Sequence, residues 1–155
     1  MIQRLQSVWL LLASLAMFAL FLFPIAHNVY IGATPKTIKV SGIYEDVAGQ
    51  MQRTTSFLAL TIVTIVMGII PLIILFRYKD RKQQMALCYG LIFVLIGFSF
   101  WMSQTVQIYV EMAHVRAENF GIGALLTSIS IVCVLGAIRG IKNDEKLVKS
   151  ADRLR

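Results

Sequence analysis

The sequence predicts an all-α fold, a transmembrane antiparallel four-helix bundle with both termini in the cytoplasm. Three observations lead to this prediction. Of the 155 residues, 57% are apolar and only 15% are charged, whereas an ordinary soluble domain has about 25% charged residues. Four long segments contain no Asp, Glu, Lys or Arg. The Lys and Arg residues gather in alternate connecting segments, which is typical of a chain that crosses a membrane several times.

Four segments are long enough to cross a membrane as helices. A helix rises about 1.5 Å per residue and the hydrocarbon core is about 30 Å thick, so one span needs about 20 apolar residues. The segments that meet this requirement are 8–26, 57–76, 85–110 and 120–138. They predict one four-span membrane domain over residues 1–142, followed by a tail over residues 143–155.

The first span has an alternative interpretation as a cleaved signal peptide, because Arg4 precedes its apolar run. Such peptides end at a cleavage site with small residues. This run ends with the large residues LFLFP, and no A-x-A-like site follows it. We therefore expect the segment to remain as a membrane anchor.

The distribution of basic residues predicts the orientation of the spans. With both termini inside, the cytoplasmic segments hold 11 of the 15 Lys and Arg residues and the outer loops hold 4. Cytoplasmic loops of membrane proteins have an excess of these residues. Membrane lipid, including the anionic headgroups of the inner leaflet, is therefore the expected surrounding.

The net charge of +7 does not indicate nucleic-acid binding, since the basic residues lie between and beyond the apolar segments rather than along one surface. The two cysteines, Cys88 and Cys133, lie in apolar segments without a CxxC motif or nearby ligands. The cysteines therefore indicate neither a zinc site nor a disulfide framework. We expect no cofactor and no nucleic-acid partner.

The loop 27–56 is the longest connecting segment. Its stretch TIKVSGIYEDV has β-branched alternation interrupted by Ser41 and Gly42, a pattern typical of a short β-hairpin. A two-stranded hairpin is marginally stable in water. The sequence leaves room for such a hairpin on the periplasmic side, provided that it packs on the helices or on a partner.

Polar side chains recur along the third span at helical spacing. Since a helix turns about 100° per residue, these side chains share one face within about 120° of arc. Two interpretations remain open. The stripe lines a shallow cup that binds a ligand or ion from the periplasm, or its members join helices by hydrogen bonds. The candidate residues are Ser99, Ser103, Gln107, Glu111 and His114.

The tail has basic and apolar residues at near-helical spacing and should extend the fourth helix. The stretch Asn143-Asp144-Glu145 interrupts this pattern and has the residue types of a new helix start. A basic tail can bind anionic lipid headgroups or dock a cytoplasmic protein. The candidate contact residues are Lys142, Lys146, Lys149, Arg153 and Arg155.

No pattern in the sequence indicates an enzyme. General mechanisms need a nucleophile with its base or a positioned acid and base, and neither is visible in the sequence. We therefore expect a non-enzymatic scaffold or accessory subunit with a basic cytoplasmic tail. The alternative is a small-molecule binder or transporter that uses the polar stripe.

Three stretches carry a resemblance to a known family: the start MIQRLQSVWLLLA, the loop FRYKDRKQQMALCYG and the ending IRGIKNDEKLVKSADRLR. The chain resembles the domain of unknown function 4293 family, which are small inner-membrane proteins of Bacteroidota. This resemblance implies four spans in a bacterial inner membrane and no assigned activity. It supplies no catalytic residues.

Overall fold

The computed structural model describes residues 3–31, 34–47, 50–78, 80–110 and 119–153. The chain begins with helix α1 (Gln3–Ala19) and continues with strands β1 (Ala26–Ile31), β2 (Thr34–Lys39), β3 (Gly42–Val47) and β4 (Gln50–Ser56). Three helices follow, α2 (Leu58–Phe76), α3 (Arg81–Val110) and α4 (Gly123–Arg153). These elements make an α+β fold.

The prediction of an all-α four-helix bundle is therefore wrong. The four strands form one antiparallel sheet in chain order, inserted between α1 and α2. The stretch TIKVSGIYEDV does pair, as β2 and β3, but β1 and β4 flank it on either side. A hairpin alone would be marginal in water, and the two additional strands supply the pairing partners that it lacks.

Helix α1 ends earlier than the predicted span 8–26. After Ala19 the chain forms tight turns, in which the N–H groups of Leu20 and Phe21 bond to carbonyl oxygens only three residues back, at 3.3 and 3.1 Å. Pro24 has no N–H to continue a helix and disfavours helical backbone in the residue before it. The chain then enters β1 at Ala26.

The four helices pack side by side. Helix α1 contacts both α2 and α4, and α3 contacts the same two helices. Two buried hydroxyls of these helices bond to carbonyls of their neighbours: Ser14 Oγ donates to Gly68 O at 2.6 Å, and Ser130 Oγ donates to Ala13 O at 3.1 Å. Polar groups away from water are satisfied in this way between membrane helices.

Three helices in the described part of the chain are long and apolar enough to cross a membrane: Leu58–Phe76, Arg81–Tyr109 and Gly123–Lys146. The apolar part of α1, Gln6–Ala19, is shorter. Large apolar side chains also cover the outside of the helices, and that of Phe93 is 81% exposed. Extended apolar surfaces of this kind favour contact with lipid over water. These are the properties of a membrane protein.

Helix α4 passes through Asn143-Asp144-Glu145 without a break, so the helix start predicted there is not used. Two contacts with α3 hold this part of α4. Arg81 Nη1 donates to Asp144 O at 3.3 Å, and Lys142 Nζ lies 5.6 Å from the centroid of the Tyr89 ring. We call this end of the helices the tail end.

The sheet stands on the opposite end of the helices, which we call the sheet end. Its base is buried, with Val29, Ile38 and Ile43 in the same core as the helices. Backbone hydrogen bonds connect this base to the segment before α4. Ile25, which precedes β1, donates its N–H to Ile38 O of β2 and accepts from the N–H of Gly121, which precedes α4, both at 2.8 Å. Toward the hairpin tips both faces become exposed, and β4 is exposed along most of its length.

Candidate functional site

Two clefts lie along the seam between α2 and α3, a deep part of about 320 Å³ and an upper part of about 260 Å³ nearer the sheet, and Trp101 lines both. We call the two parts together the α2–α3 groove. The deep part is lined by apolar side chains that include Val63, Met67 and Phe93. The upper part adds hydroxyl groups, and its lining includes Ser56, Phe57, Thr105 and Tyr109.

The groove exists partly because α3 has glycine where a side chain would fill the space. Gly97 lines the deep part, and a Cβ built there would meet no atom within 4 Å. The upper end is held by an aromatic contact between α3 and the start of α2. The rings of Tyr109 and Phe57 lie 5.0 Å apart, centroid to centroid. The groove is therefore open in its deep part and bounded by rings near the sheet.

The sheet face next to the groove carries two basic residues. Ser56, which lines the upper part, pairs with Gly42, and Gly42 also pairs with Lys39. One position further along the same face, Tyr44 pairs with Arg53. Directly paired residues of antiparallel strands lie on one face. Lys39, Tyr44 and Arg53 therefore share the face of Ser56, and we call these three residues the cationic face.

Contacts within the sheet hold the side chains of the cationic face together. Lys39 Nζ lies 5.6 Å from the centroid of the Tyr44 ring, a distance at which a cation is attracted to an aromatic ring. The Tyr44 hydroxyl lies 2.9 Å from Ser41 Oγ. Arg53 crosses over Gly42, where a Cβ would lie 3.3 Å from Arg53 Cδ. The side chains of Lys39 and Arg53 thus both lie over β3, on one face of the sheet.

The opposite face of the sheet balances its charges. Lys36 Nζ lies 3.5 Å from Glu45 Oε2, and the Thr34 hydroxyl donates to the same carboxylate. The Thr34 hydrogen bond, with a further contribution from the charge of Lys36, lowers the pKa of Glu45. Glu45 therefore stays ionised and neutralises Lys36. On the cationic face, the described acid is Asp46, which lies farther out on β3.

The predicted polar stripe lies partly within the described residues. Ser99 Oγ donates to Leu95 O of its own helix at 3.0 Å, and Gln107 Nε2 donates to Ser103 Oγ at 3.4 Å. Ser103 and Gln107 are exposed, and none of these three stripe residues lines either part of the α2–α3 groove. The other two stripe residues, Glu111 and His114, lie outside the described residues. The ligand cup stays a prediction.

The predicted tail contacts fall at the end of α4. Lys142 lies over the Tyr89 ring, and Lys146 is exposed. Lys149 and Arg153 belong to the same helix, whereas Arg155 lies outside the described residues. The structure therefore places four of these five residues on one helix.

Neither the groove nor the cationic face was predicted from the sequence. Lys39 and Arg53 contributed only to the count of basic residues in an outer loop. Their position on one face depends on strand register. A sequence indicates the register when apolar and polar residues alternate along the strand. β4, with the sequence QMQRTTS, has no such alternation. The alternation of β2 and β3 is the signal that could have placed Lys39 in a sheet.

Comparison with known proteins places the chain in a family. No curated protein matches it. A family model described as a domain of unknown function, DUF4293, matches residues 2–154. The match covers nearly the whole chain and confirms the resemblance carried by its start, its FRYKDRKQQMALCYG loop and its ending. The protein belongs to the DUF4293 family.

Proposed function

We propose that this protein is a non-enzymatic scaffold or accessory subunit of a bacterial inner membrane, with both termini in the cytoplasm, and that α4 docks a protein partner at the tail end. One observation carries the proposal: α4 is a single helix of 31 residues that starts apolar and ends basic. At about 1.5 Å per residue it is about 46 Å long, which exceeds a hydrocarbon core of about 30 Å by about 16 Å. That excess is a rigid arm.

Antiparallel packing of α1 and α4 supports the placement of both termini on one side. Close approaches pair Gly140 with Gln6 near the tail end and Gly121 with Pro24 near the sheet end. α1 thus runs beside the apolar length of α4 and, with the turns that follow it, serves as the fourth span. The excess of Lys and Arg in the segments at the tail end favours the cytoplasm for that end.

The charge of the arm favours a partner with an acidic surface. Residues 139–155 hold six Lys and Arg against three Asp and Glu. Positions 142, 146, 149 and 153 are spaced by four, three and four residues, which places them on one face of α4. A continuous helix presents these positions at fixed spacing. Charge complementarity of this kind selects partners and accelerates their association.

Charge reversal on the arm tests the proposal in the full-length protein. We expect Lys146→Glu combined with Lys149→Glu to lower the amount of partner crosslinked in native membranes about tenfold. Reversing two charges should weaken binding to an acidic surface by at least about 1.4 kcal/mol, which corresponds to a tenfold loss of affinity. The matched control is Arg77→Glu combined with Lys82→Glu, which makes the same charge change at the tail end but outside α4. The control variant should retain the partner, and mass spectrometry of crosslinked products measures both.

Two results would contradict the scaffold function. One is that no protein crosslinks reproducibly to α4 of the wild-type chain. The other is that both double variants lose the partner to the same degree, because the arm would then have no specific part in docking. Sedimentation of each variant with membranes measures its membrane placement separately from docking.

The alternative function, small-molecule binding or transport through the polar stripe, has weaker support. Ser99 bonds to its own helix, and Ser103 and Gln107 bond to each other rather than facing the α2–α3 groove. Uptake of a ligand that depends on Gln107 would favour this alternative over the scaffold.

A further inference from the structure

We propose that the α2–α3 groove binds one acyl chain of an anionic phospholipid, whose phosphate lies against the cationic face. The inference rests on the membrane placement proposed above and is independent of the scaffold function. It assigns a ligand of defined chemistry to a groove between two apolar helices.

The shape of the groove selects an acyl chain over a protein helix. The deep part is a cleft of about 320 Å³ between α2 and α3, lined by apolar side chains such as Val63 and Phe93. One turn of a helix with its side chains, about 10 Å across and 5.4 Å long, occupies about 400 Å³, which is more than the deep part holds. Since α2 and α3 are both apolar along these segments, the medium around the cleft is lipid hydrocarbon. A single acyl chain, which has no side chains, suits both the volume and the apolar surface of the deep part.

The length of the groove matches one half of a membrane. Its lining on α3 extends from Phe93 to Tyr109, and sixteen residues of helix measure about 24 Å. Half of a bilayer, headgroups included, is about 20–22 Å thick. A chain seated in the groove would therefore reach from the middle of the membrane to the level of the headgroups at the sheet end.

The polarity of the lining changes along the groove in the order that a phospholipid requires. The deep part is apolar, whereas the upper part includes Ser56, Thr105 and Tyr109. Trp101, which lines both parts, and Tyr109 are aromatic residues of the kind that settle at the membrane interface. The hydroxyl groups lie where the glycerol and ester groups of a lipid would follow its acyl chain.

The cationic face lies beyond the upper part and complements a phosphate. Ser56 shares its sheet face with Lys39 and Arg53, whose side chains are held over Gly42 and Tyr44. Lys36, by contrast, is neutralised by Glu45 on the opposite face. Asp46 follows Tyr44 on the same face, closer to the tip of β3. Among the described residues this face therefore has two positive charges and one negative charge, and its net positive charge complements one negatively charged headgroup.

Three variants separate the acyl chain from the headgroup. Gly97→Leu places a side chain in the deep part, and its Cβ has room because it meets no atom within 4 Å. Gly90→Leu is its matched control, because Gly90 is equally open and does not line the groove. Lys39→Gln combined with Arg53→Gln removes the charges that face the phosphate and leaves the groove unchanged.

The test is photolabelling of the full-length protein in phosphatidylcholine vesicles that contain phosphatidylglycerol with a diazirine on its acyl chain. We expect labelling to concentrate on the groove residues of α2 and α3, to fall to background there in Gly97→Leu, and to persist in Gly90→Leu. Diazirine-labelled phosphatidylcholine serves as the neutral probe. Lys39→Gln combined with Arg53→Gln should lower the preference for phosphatidylglycerol about 25-fold, because each cation near the surface contributes about fivefold.

Other outcomes would overturn the inference. Labelling spread evenly over all lipid-facing helices, or unchanged in Gly97→Leu, would show that the groove holds no chain. Equal labelling by the two lipids in the wild-type protein would remove the role of the cationic face. A crosslink through the groove to a second copy or to another protein would assign it to that partner. Failure of the protein to enter vesicles would instead overturn the membrane placement.

Discussion

Replacing Gly123 with valine is expected to destroy the junction between α1 and α4. A Cβ at Gly123 would lie 2.6 Å from the carbonyl oxygen and 2.8 Å from the carbonyl carbon of Pro24, and 2.9 Å from Phe23 O. All three are backbone atoms and cannot rotate away. Gly123 N–H also donates to Pro24 O at 3.0 Å. Separating the two segments would break this bond and expose the base of the sheet.

The expected cost is about 4 kcal/mol or more in the free energy of unfolding, in the range that single substitutions reach only through a specific steric or buried defect. Thermal unfolding of the purified protein in detergent measures it. The matched control is Gly90→Val, where the added side chain meets no atom within 4 Å and valine is a better helix former than glycine. Equal stability of the two variants would contradict the close packing of α1 on α4.

A second large effect is expected for Gly42→Val, which should unfold the sheet and leave the helices folded. Gly42 has a φ of 150°, a conformation that residues with a side chain rarely adopt. A Cβ there would also lie 2.1 Å from Thr55 O, a backbone atom of the neighbouring strand. The strain and the overlap together should cost about 3 kcal/mol or more.

Hydrogen–deuterium exchange locates this effect. We expect the protection of the four strands to be lost in Gly42→Val, and that of residues 58–76 in α2 to remain. Met51→Val is the matched control, since it places the same side chain on β4, where Met51 is 62% exposed. Wild-type protection of the strands in Gly42→Val would contradict the observed register of β3 and β4.

The helical part of the fold could be predicted because its signal is long and uniform. The predicted span 57–76 and the observed α2 (Leu58–Phe76) nearly coincide, since a charge-free run bounded by polar residues defines both ends. For α3 and α4, however, apolar content indicates only the part suited to lipid. The helices begin or continue in polar sequence, and α4 runs past its contacts with Arg81 and Tyr89 as far as Arg153.

The sheet could be predicted only in part, because β1 and β4 have no strand pattern of their own and become strands through backbone hydrogen bonds to their neighbours. β2 and β3 have a recognisable pattern around Ser41 and Gly42. β1 follows the first apolar run so closely that the predicted span 8–26 includes Ala26, the first residue of the strand. Pro24 is the sequence signal for an earlier end of the helix. β4 becomes a strand by bonding to β3.

The groove and the cationic face depend on contacts between segments distant in sequence. Gly97 could equally have packed tightly against a neighbouring helix, as Gly68 does against the Phe18 ring. Nothing in its sequence neighbourhood distinguishes the two situations. Lys39 and Arg53 share one face of the sheet because their strands both pair with β3, which their sequence separation does not indicate.

Accessibility of single cysteines tests the placement of the chain in the membrane most directly. Cys88 and Cys133, both buried, are replaced by alanine, and one new cysteine is introduced, either Met51→Cys in the sheet or Lys146→Cys at the tail end. In intact spheroplasts, a membrane-impermeant maleimide should label the cysteine at position 51 and should reach that at position 146 only after permeabilisation. Labelling of both, or of position 146 alone, in intact spheroplasts would contradict the proposed orientation.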